Sequence, residues 1–464
     1  MKLMVRLLAL LAVLSLVAAA CGSDGDGDTA SDGGTTTPAD DAPADDAPAD
    51  DAPADDAPAE MATDVGVTDD EIRLGLITDL TGPFAGLTVP ITDGLEGYWE
   101  WVNSNGGIAG RDVILDIQDA AYDIDAFGQF YDQMSDDGDE GSVMMQMSLG
   151  SPMTASIRED LVDDEFAAIP LSWNSSWSDE ASGNIYEFGT NYCVESMNGI
   201  EWMAKNKDVT KVAVIGRAGD YGEDGSIGAK MAIEALGLEL AYDGQGQVVP
   251  GADPTPVATA IAESDAELVW ITGGAADLAG MMGRAAELGY TGLWAGNGPS
   301  YNQVLLASEA LAGLLGATYT NFSPAPAMDP AQSAGMAEAL AIFKETRPDS
   351  QYNAAYVIGY IMGEIARQGL ETAAANGDMT RQGVVDALAA TSVDLQGLTE
   401  TITYSGNPND VIPRESYVYS IDPSGYDPEA TMGTGVPGND GVVQIDTFTG
   451  DVAAGFEYEP CFGI

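Results

Sequence analysis

Three glycines and an arginine lie close together in "NSNGGIAGRDV", residues 103–113. A glycine-rich loop can hold a phosphate group when it connects a strand to a helix, because its backbone amides then point at the anion. Here residues 91–104 have helical periodicity, and residues 112–119, which follow them, have the pattern of a strand. This order is the reverse of that in a phosphate loop. The sequence therefore predicts a turn whose glycines supply positive φ.

The residue types available for catalysis are few. The chain of 464 residues has no histidine, which excludes a Ser-His triad and removes the commonest general base and zinc ligand. Its three cysteines therefore have no imidazole partner. A hydrolase with a carboxylate pair stays open as an alternative, because the chain has 75 acidic residues. We expect a binding protein that is not an enzyme and needs no metal or cofactor.

The first residues have the layout of a secretory signal. Lys2 and Arg6 form a basic head, residues 7–17 are apolar, and three alanines precede Cys21. The stretch "LVAAAC" resembles a bacterial lipobox, which predicts a signal peptide over residues 1–20 and lipid attachment at Cys21. The predicted location is the extracytoplasmic face of the cell membrane. The alternative is ordinary secretion with a free Cys21.

An acidic segment follows over residues 21–64, with the pentad "PADDA" repeated along it. Because such a segment cannot bury apolar surface, we expect a disordered tether. The whole chain carries 75 acidic and 16 basic residues. A surface this acidic repels nucleic acid and anionic lipid headgroups, so neither is an expected partner.

Beyond residue 70, short apolar runs alternate with amphipathic stretches, which is typical of parallel sheets covered by helices on both faces. The predicted strands are 72–80, 112–119, 142–149, 166–172, 211–217, 238–244, 267–274 and 291–297. The predicted helices are 91–104, 124–135, 152–164, 225–236 and 277–289. Because the alternation runs twice, the sequence predicts an α/β fold with two lobes.

Four stretches, in this order and spacing, look like the type I periplasmic binding proteins of the leucine/isoleucine/valine-binding branch: "IRLGLITDLTGPFAG", "NSNGGIAGRDVILDIQDA", "AGDYGEDG" and "ELVWITGG". The resemblance implies two Rossmann-like lobes, joined by a three-crossover hinge, that close over a small solute. It also implies a monomer that delivers the solute to the permease and ATPase subunits of an ABC importer. The predicted boundaries assign residues 65–192 and 321–398 to lobe 1, and residues 193–320 and 399–464 to lobe 2.

Ligands of doubly wound sheets bind at the carboxyl ends of the strands. In lobe 1 the loops at these ends contain Thr81, Phe84, Leu87, Ser148, Ser151, Ser172, Trp173, Asn174 and Ser175. In lobe 2 they contain Tyr221, Ala275, Asp277 and Asn297. The resemblance implies that hydroxyl and backbone groups of the lobe 1 loops hold a ligand carboxylate. It also implies that Tyr221 covers the ligand, although a packing residue with its hydroxyl in solvent is the alternative.

The stretch "GSPMTAS" is the most interpretable of these loops. Ser151 suits a helix N-cap and Pro152 the first helical position, which would leave the amides of Met153 and Thr154 free to bind a carboxylate. The alternative is an ordinary capped helix that faces water.

The chain departs from the family at two ligand positions. An acidic residue holds the ligand ammonium where this chain has Asn297 or Gly298, and Leu87 stands in place of a tyrosine. Asp277 is the candidate to replace the lost charge. The predicted ligand is an amino acid, branched-chain ones included, or a related amide or carboxylate. A ligand-sensing receptor domain without a transport role is the alternative.

Lipid attachment at Cys21 leaves two cysteines in an exported protein, where oxidation favours pairing. By the resemblance, Cys193 lies where the chain first crosses between the lobes, and Cys461 lies in a tail that ends near lobe 2. The sequence therefore predicts a disulfide between Cys193 and Cys461. The alternative is two buried free thiols.

Overall fold

The computed structural model describes residues 61–179 and 182–463. The predicted signal peptide, Cys21 and the predicted tether up to residue 60 lie outside these residues. The described part forms two α/β lobes, each built around one parallel-rich sheet. None of its helices is long and apolar enough to cross a membrane.

The strands, in chain order, are β1 (Ala62–Thr63), β2 (Glu71–Thr78), β3 (Asp112–Asp119), β4 (Met144–Leu149), β5 (Ala167–Leu171), β6 (Lys211–Arg217), β7 (Glu239–Val248), β8 (Leu268–Thr272), β9 (Leu293–Gly296), β10 (Tyr319–Ser323), β11 (Asp378–Met379), β12 (Ser392–Val393), β13 (Ile402–Thr403), β14 (Ser416–Ile421) and β15 (Val442–Phe448). The α-helices are α1 (Ala85–Ser104), α2 (Ile124–Met134), α3 (Ser151–Ser156), α4 (Arg158–Asp163), α5 (Tyr192–Lys207), α6 (Asp220–Leu236), α7 (Thr255–Glu263), α8 (Ala275–Glu287), α9 (Glu309–Thr318), α10 (Ala334–Thr346), α11 (Tyr356–Asn376), α12 (Arg381–Ala390), α13 (Pro408–Val411) and α14 (Asp451–Gly455).

Lobe 1 contains a four-stranded sheet in the order β3-β2-β4-β5, and all of its pairings are parallel. Strand β4 is buried at every residue, as expected when helices cover both faces of a parallel sheet. One face packs against α1, α10, α11 and α12. The other packs against α2, α3 and α4, with Phe127 and Leu161 at its centre.

Lobe 2 contains a seven-stranded sheet in the order β15-β14-β10-β9-β8-β6-β7. The strands β7, β6, β8, β9 and β10 are parallel, and β14 and β15 add an antiparallel edge. Helices α7, α8 and α9 cover one face of this sheet. Helices α5 and α6 cover the other face, so both lobes have the predicted doubly covered architecture.

The glycine-rich stretch that follows α1 is a turn, as predicted. Gly106, Gly107 and Gly110 have φ values of 108°, 64° and 81°, a region that favours glycine. The turn ends at β3, and the Arg111 Nε donates to the Thr68 carbonyl at 2.6 Å. Its arginine therefore fixes the start of the strand.

The chain passes between the two sheets three times. The passages follow β5, β10 and β13, and the chain returns to the larger sheet for the last time at β14. The boundary predicted between residues 320 and 321 therefore falls inside β10, and the one predicted between 398 and 399 falls inside the β12–β13 hairpin, between its two strands. In this structure, the second and third passages lie a few residues later than the sequence suggests.

The last residues of the predicted tether belong to the folded part, which corrects the boundary at residue 64. Strand β1 pairs in parallel with β11, and the Asp64 Oδ1 accepts from the Arg381 backbone N–H at 3.0 Å. Backbone pairing of this kind needs no apolar side chains. Composition alone therefore placed the end of the tether too late.

Cys193, at the start of α5, and Cys461 are joined by a disulfide with their Cα atoms 6.3 Å apart. The carboxyl-terminal tail also contacts Ser175, which follows β5. The Cys461 N–H donates to the Ser175 Oγ at 2.8 Å, and the Tyr458 hydroxyl donates to the Ser175 carbonyl at 2.6 Å. The tail is therefore fastened along the first passage between the lobes, and not to lobe 2 alone.

A secreted Cys21→Ala chain, unfolded without reductant, should contain no thiol that reacts with Ellman's reagent. The bridge spans 268 residues, and in the chain-entropy model a loop of this size stabilises the fold by roughly 5 kcal/mol. Reduction should therefore lower the urea midpoint. Two reactive thiols per unreduced chain would contradict the pairing.

Candidate functional site

Two adjoining cavities lie between the lobes, and they share the wall residues Leu87, Trp173 and Pro299. The first, which we call the aromatic cavity, is lined by Phe84, Leu87, Tyr122, Leu149, Gly150, Ser151, Leu171, Trp173, Tyr192, Tyr221 and Pro299. The second, which we call the polar cavity, is the larger of the two.

The walls of the aromatic cavity come from both lobes. Phe84, from lobe 1, lies 6.3 Å from the ring of Tyr221, from lobe 2, and Tyr221 lies 4.7 Å from the ring of Tyr192. Among the described residues that line it, none is Asp, Glu, Lys or Arg. The cavity therefore favours apolar and aromatic groups.

Tyr122 reaches the aromatic cavity from a backbone turn that begins where β3 ends. Ala121 and Tyr122 have φ values of 48° and 60°, a conformation that residues with a Cβ rarely adopt. The Asp119 carboxylate holds the turn by accepting from the Leu80 and Ala121 backbone N–H groups. Burial acts to raise the pKa of Asp119, but its hydrogen bonds outweigh burial and lower the pKa.

Five of the predicted ligand residues line the cavities: Phe84, Leu87, Ser151, Trp173 and Tyr221. The hydroxyl of Tyr221 is not in solvent. It donates to the Gly273 carbonyl at 2.7 Å and accepts from the Asn297 Nδ2 at 3.0 Å. These bonds turn the aromatic ring of Tyr221 toward the cavity.

The predicted hydroxyl ligands mostly bond to one another. Ser148 pairs with Thr154 at 2.7 Å, and Ser151 pairs with Ser172. Helix α3 begins with Gly150 at its N-cap, one residue before the predicted Ser151, and the Thr154 N–H donates to the Gly150 carbonyl at 3.0 Å. The amide of Thr154 is therefore not free for a carboxylate, which corrects that prediction.

Three further lobe 1 predictions lie outside both cavities. Thr81 is exposed and donates to the Asp119 carboxylate at 2.8 Å. The Asn174 Oδ1 caps the short 3-10 helix that follows it, and Ser175 donates its backbone N–H to the Asp224 carboxylate at 3.1 Å. These side chains stabilise the loops instead of lining the site.

The lobe 2 predictions at Ala275, Asp277 and Asn297 are likewise not cavity walls. The Asp277 Oδ2 accepts from the Gly274 N–H at 2.9 Å and lies 3.5 Å from the Arg217 Nε. Asp277, the third residue of α8, therefore caps the start of that helix and neutralises a buried arginine, and we do not propose it as an ammonium ligand. The sequence could not indicate this pairing, because Arg217 ends a different strand.

Arg217 also contacts lobe 1. Its guanidinium carbon lies 4.9 Å from the Phe84 ring centroid and 5.6 Å from that of Tyr122. Cations are attracted to the faces of aromatic rings, most strongly where water is excluded. Arg217 thus stabilises the contact between lobe 2 and two wall residues of the aromatic cavity.

The polar cavity contains the side chains that sequence reasoning missed. Gln303 and Asp440 are buried there, together with Trp173. The Asp440 carboxylate accepts from the Val442 and Ala354 backbone N–H groups, both at 3.2 Å. Burial nevertheless raises the pKa of Asp440 to about 6. Tyr122 follows the end of a predicted strand and could have been found from it. Gln303 begins a short 3-10 helix and Asp440 lies in a loop, and neither directly follows a predicted strand.

The Asp277→Asn substitution should lower the free energy of unfolding by about 3 kcal/mol, because it leaves the Arg217 charge buried without its partner. Both side chains of this pair are about nine-tenths buried, with exposures of 8% and 10%. Urea unfolding measures the effect. The control is Glu287→Gln, which breaks an exposed pair with Arg284 and should cost less than about 1 kcal/mol. Equal effects would contradict the structural role of Asp277.

A sequence model of a known family matches most of the folded part of this chain. A sequence model of a periplasmic binding protein family matches residues 71–426. The Leu/Ile/Val-binding protein homolog 3 of Brucella melitensis biotype 1 is 27% identical over 206 residues. That alignment covers 44% of this chain and 54% of the relative, or about half of the relative's length.

Solved structures show the same fold. A fatty acid ABC transporter substrate-binding protein from Thermomonospora curvata has a TM-score of 0.76 and 25% identity, over 86% of this chain and 98% of its own. A branched-chain amino acid ABC transporter protein from Thermus thermophilus, with bound valine, has a TM-score of 0.67 and 17% identity. Its match covers 83% of this chain and 98% of its own.

Proposed function

Because this chain belongs to the periplasmic binding protein family, we propose that it is the extracytoplasmic substrate-binding component of an ABC importer. The lobes close over a small solute and present it to the permease, whose ATPase subunits drive uptake. The observation that carries this proposal is the aromatic cavity, because loops of both lobes form its walls at the carboxyl ends of parallel strands. Closure of the lobes and capture of the solute are then one event.

The solute that fits best is a small carboxylate or amide with an apolar or aromatic body. An ammonium group needs an acidic partner, and the aromatic cavity has none among the described residues that line it. In the polar cavity both oxygens of Asp440 already accept backbone hydrogen bonds. Branched-chain amino acids are the second candidate, because a relative is named as a Leu/Ile/Val-binding protein homolog.

Two alternatives from other classes are separable by experiment. A carboxylate-based hydrolase would consume the solute, whereas the proposed binding protein returns it unchanged after dissociation. A sensory receptor domain would bind the solute but would not support its uptake. Growth on the solute with and without this protein distinguishes sensing from import.

A thermal-shift screen should identify the solute. The panel contains branched-chain amino acids, their amides, short and medium fatty acids and aromatic carboxylates. A solute at 100 times its dissociation constant stabilises the closed fold by about 2.7 kcal/mol, which raises the melting temperature. If no member of the panel shifts the melting temperature, the proposed solute class is wrong.

The location of the site is tested by filling it. Leu87→Trp should weaken binding of any solute found by at least about tenfold, because Leu87 lines both cavities. Val89→Trp is the matched control, since Val89 lies on the same helix and is 44% exposed. Unchanged binding by the Leu87→Trp variant would show that the solute does not bind in this cleft.

We further propose that lipid at Cys21 anchors the protein to the outer face of the cell membrane. The full chain should then sediment with membranes, and a Cys21→Ala chain should be released, since that chain lacks the sulfur to which the lipid is attached. Mass spectrometry of the mature amino terminus measures the attached lipid. Equal release of both chains argues for ordinary secretion.

A further inference from the structure

Gln303 is a buried amide without a hydrogen-bond partner. It is the first residue of the 3-10 helix Gln303–Ala307, only 4% of its surface is exposed, and neither its Oε1 nor its Nε2 has a partner. Its side chain lines the polar cavity. Buried side-chain amides are nearly always hydrogen-bonded, so this one is poised for a bound molecule.

Trp173 adds a second unused donor to the same cavity. Its ring is 3% exposed, and its Nε1 has no hydrogen-bond partner. Trp173 also lines the aromatic cavity, so it stands where the two cavities meet. A molecule that extends from one cavity into the other must pass this side chain.

The neighbouring polar groups are already engaged. The Asn302 Oδ1 accepts from the Val304 N–H at 3.2 Å, and the Asn321 Nδ2 donates to the Asn297 carbonyl at 2.7 Å. The Tyr419 hydroxyl donates to the Ala325 carbonyl. Among the described residues that line this cavity, Gln303 is the side-chain amide whose donor and acceptor are both without a partner.

The unused groups favour one ligand chemistry. A carboxylate has only acceptors, so it can accept from the Gln303 Nε2 and the Trp173 Nε1 but leaves the Gln303 Oε1 unpaired and is repelled by the acidic Asp440. An ammonium has only donors and would leave the Gln303 Nε2 and the Trp173 Nε1 unpaired. A carboxamide has a donor and an acceptor in one plane, and can pair with the Gln303 amide through two hydrogen bonds.

We propose that the polar cavity binds the carboxamide group of the transported solute, whose apolar body lies in the aromatic cavity. This inference rests on the proposed function and narrows the solute to amides. Gln303 sets the preference for an amide over the corresponding acid, because a site built around hydrogen-bonding groups rejects an analogue that cannot pair with them.

The test compares 4-methylpentanamide with 4-methylpentanoate, two probes that share one apolar body. Calorimetric titration of the full chain at neutral pH should show at least about tenfold tighter binding of the amide. Gln303→Leu keeps a similar volume but removes both hydrogen-bonding groups, and it should abolish this preference. Gln382→Leu, on the exposed surface, is the matched control and should retain it.

The outcomes separate the two proposals. If the acid binds as tightly as the amide, or if Gln303→Leu keeps the amide preference, the inference about amides is overturned while the proposed function stands. If neither probe binds and the wider screen also finds no solute, both proposals fail. Because a variant that fails to fold cannot bind, circular dichroism and melting temperature are recorded for each chain. If Gln303→Leu is unfolded, Gln303→Met takes its place, because it has a similar shape and also lacks the amide, and it must show the same loss of preference.

Discussion

Parallel strands that are covered on both faces leave only their ends accessible, and this constraint fixes where the molecule can bind anything. Phe84, Tyr122, Ser151 and Trp173 each follow the carboxyl end of a lobe 1 strand, and Tyr221 follows the end of β6 in lobe 2. The helices that bury the sheets therefore also direct these five side chains into one cleft. The ends of the strands are therefore sufficient to bring the walls of the site together.

The polar groups around the cleft are mostly used to hold it together. Serine and threonine hydroxyls pair with one another, Asn297 positions Tyr221, and Asp277 neutralises Arg217. Because a buried charge without a partner is costly, the ion pair between Arg217 and Asp277 must persist when the lobes meet. Selectivity is then left to the shape of an apolar cavity and to the few polar atoms that remain unpaired.

The sequence predicts the strands and helices well where the hydrophobic periodicity is strong. It predicts poorly the features that depend on contacts between residues far apart in the chain. The predicted strands agree with β2 to β9 within a few residues, whereas β1 falls in the predicted tether. Helix α1 begins at Ala85, before the predicted residue 91, because Pro90 is accommodated within the helix. The positions of the strand ends predict which loops reach the cleft. They do not predict which side chains of those loops stay free to bind a ligand, because the pairing of Ser151 with Ser172 depends on distances across the sheet. Gln303 and Asp440 were missed, since neither lies at the end of a predicted strand.

The short pairing between β1 and β11 determines which lobe bears a force that is applied to the folded part at its amino-terminal end. Strand β1 lies against lobe 1, where Asp64 is also bonded to the first residue of α12. Tension from the segment before residue 61 would therefore be carried by lobe 1, as shear along two residues of parallel backbone pairing. In the described residues, lobe 2 is joined to lobe 1 by the three passages, by the cleft contacts and by backbone hydrogen bonds of residues 430–433 with residues 348–352. A pull on the amino end therefore loads lobe 1 first and reaches lobe 2 only through these connections.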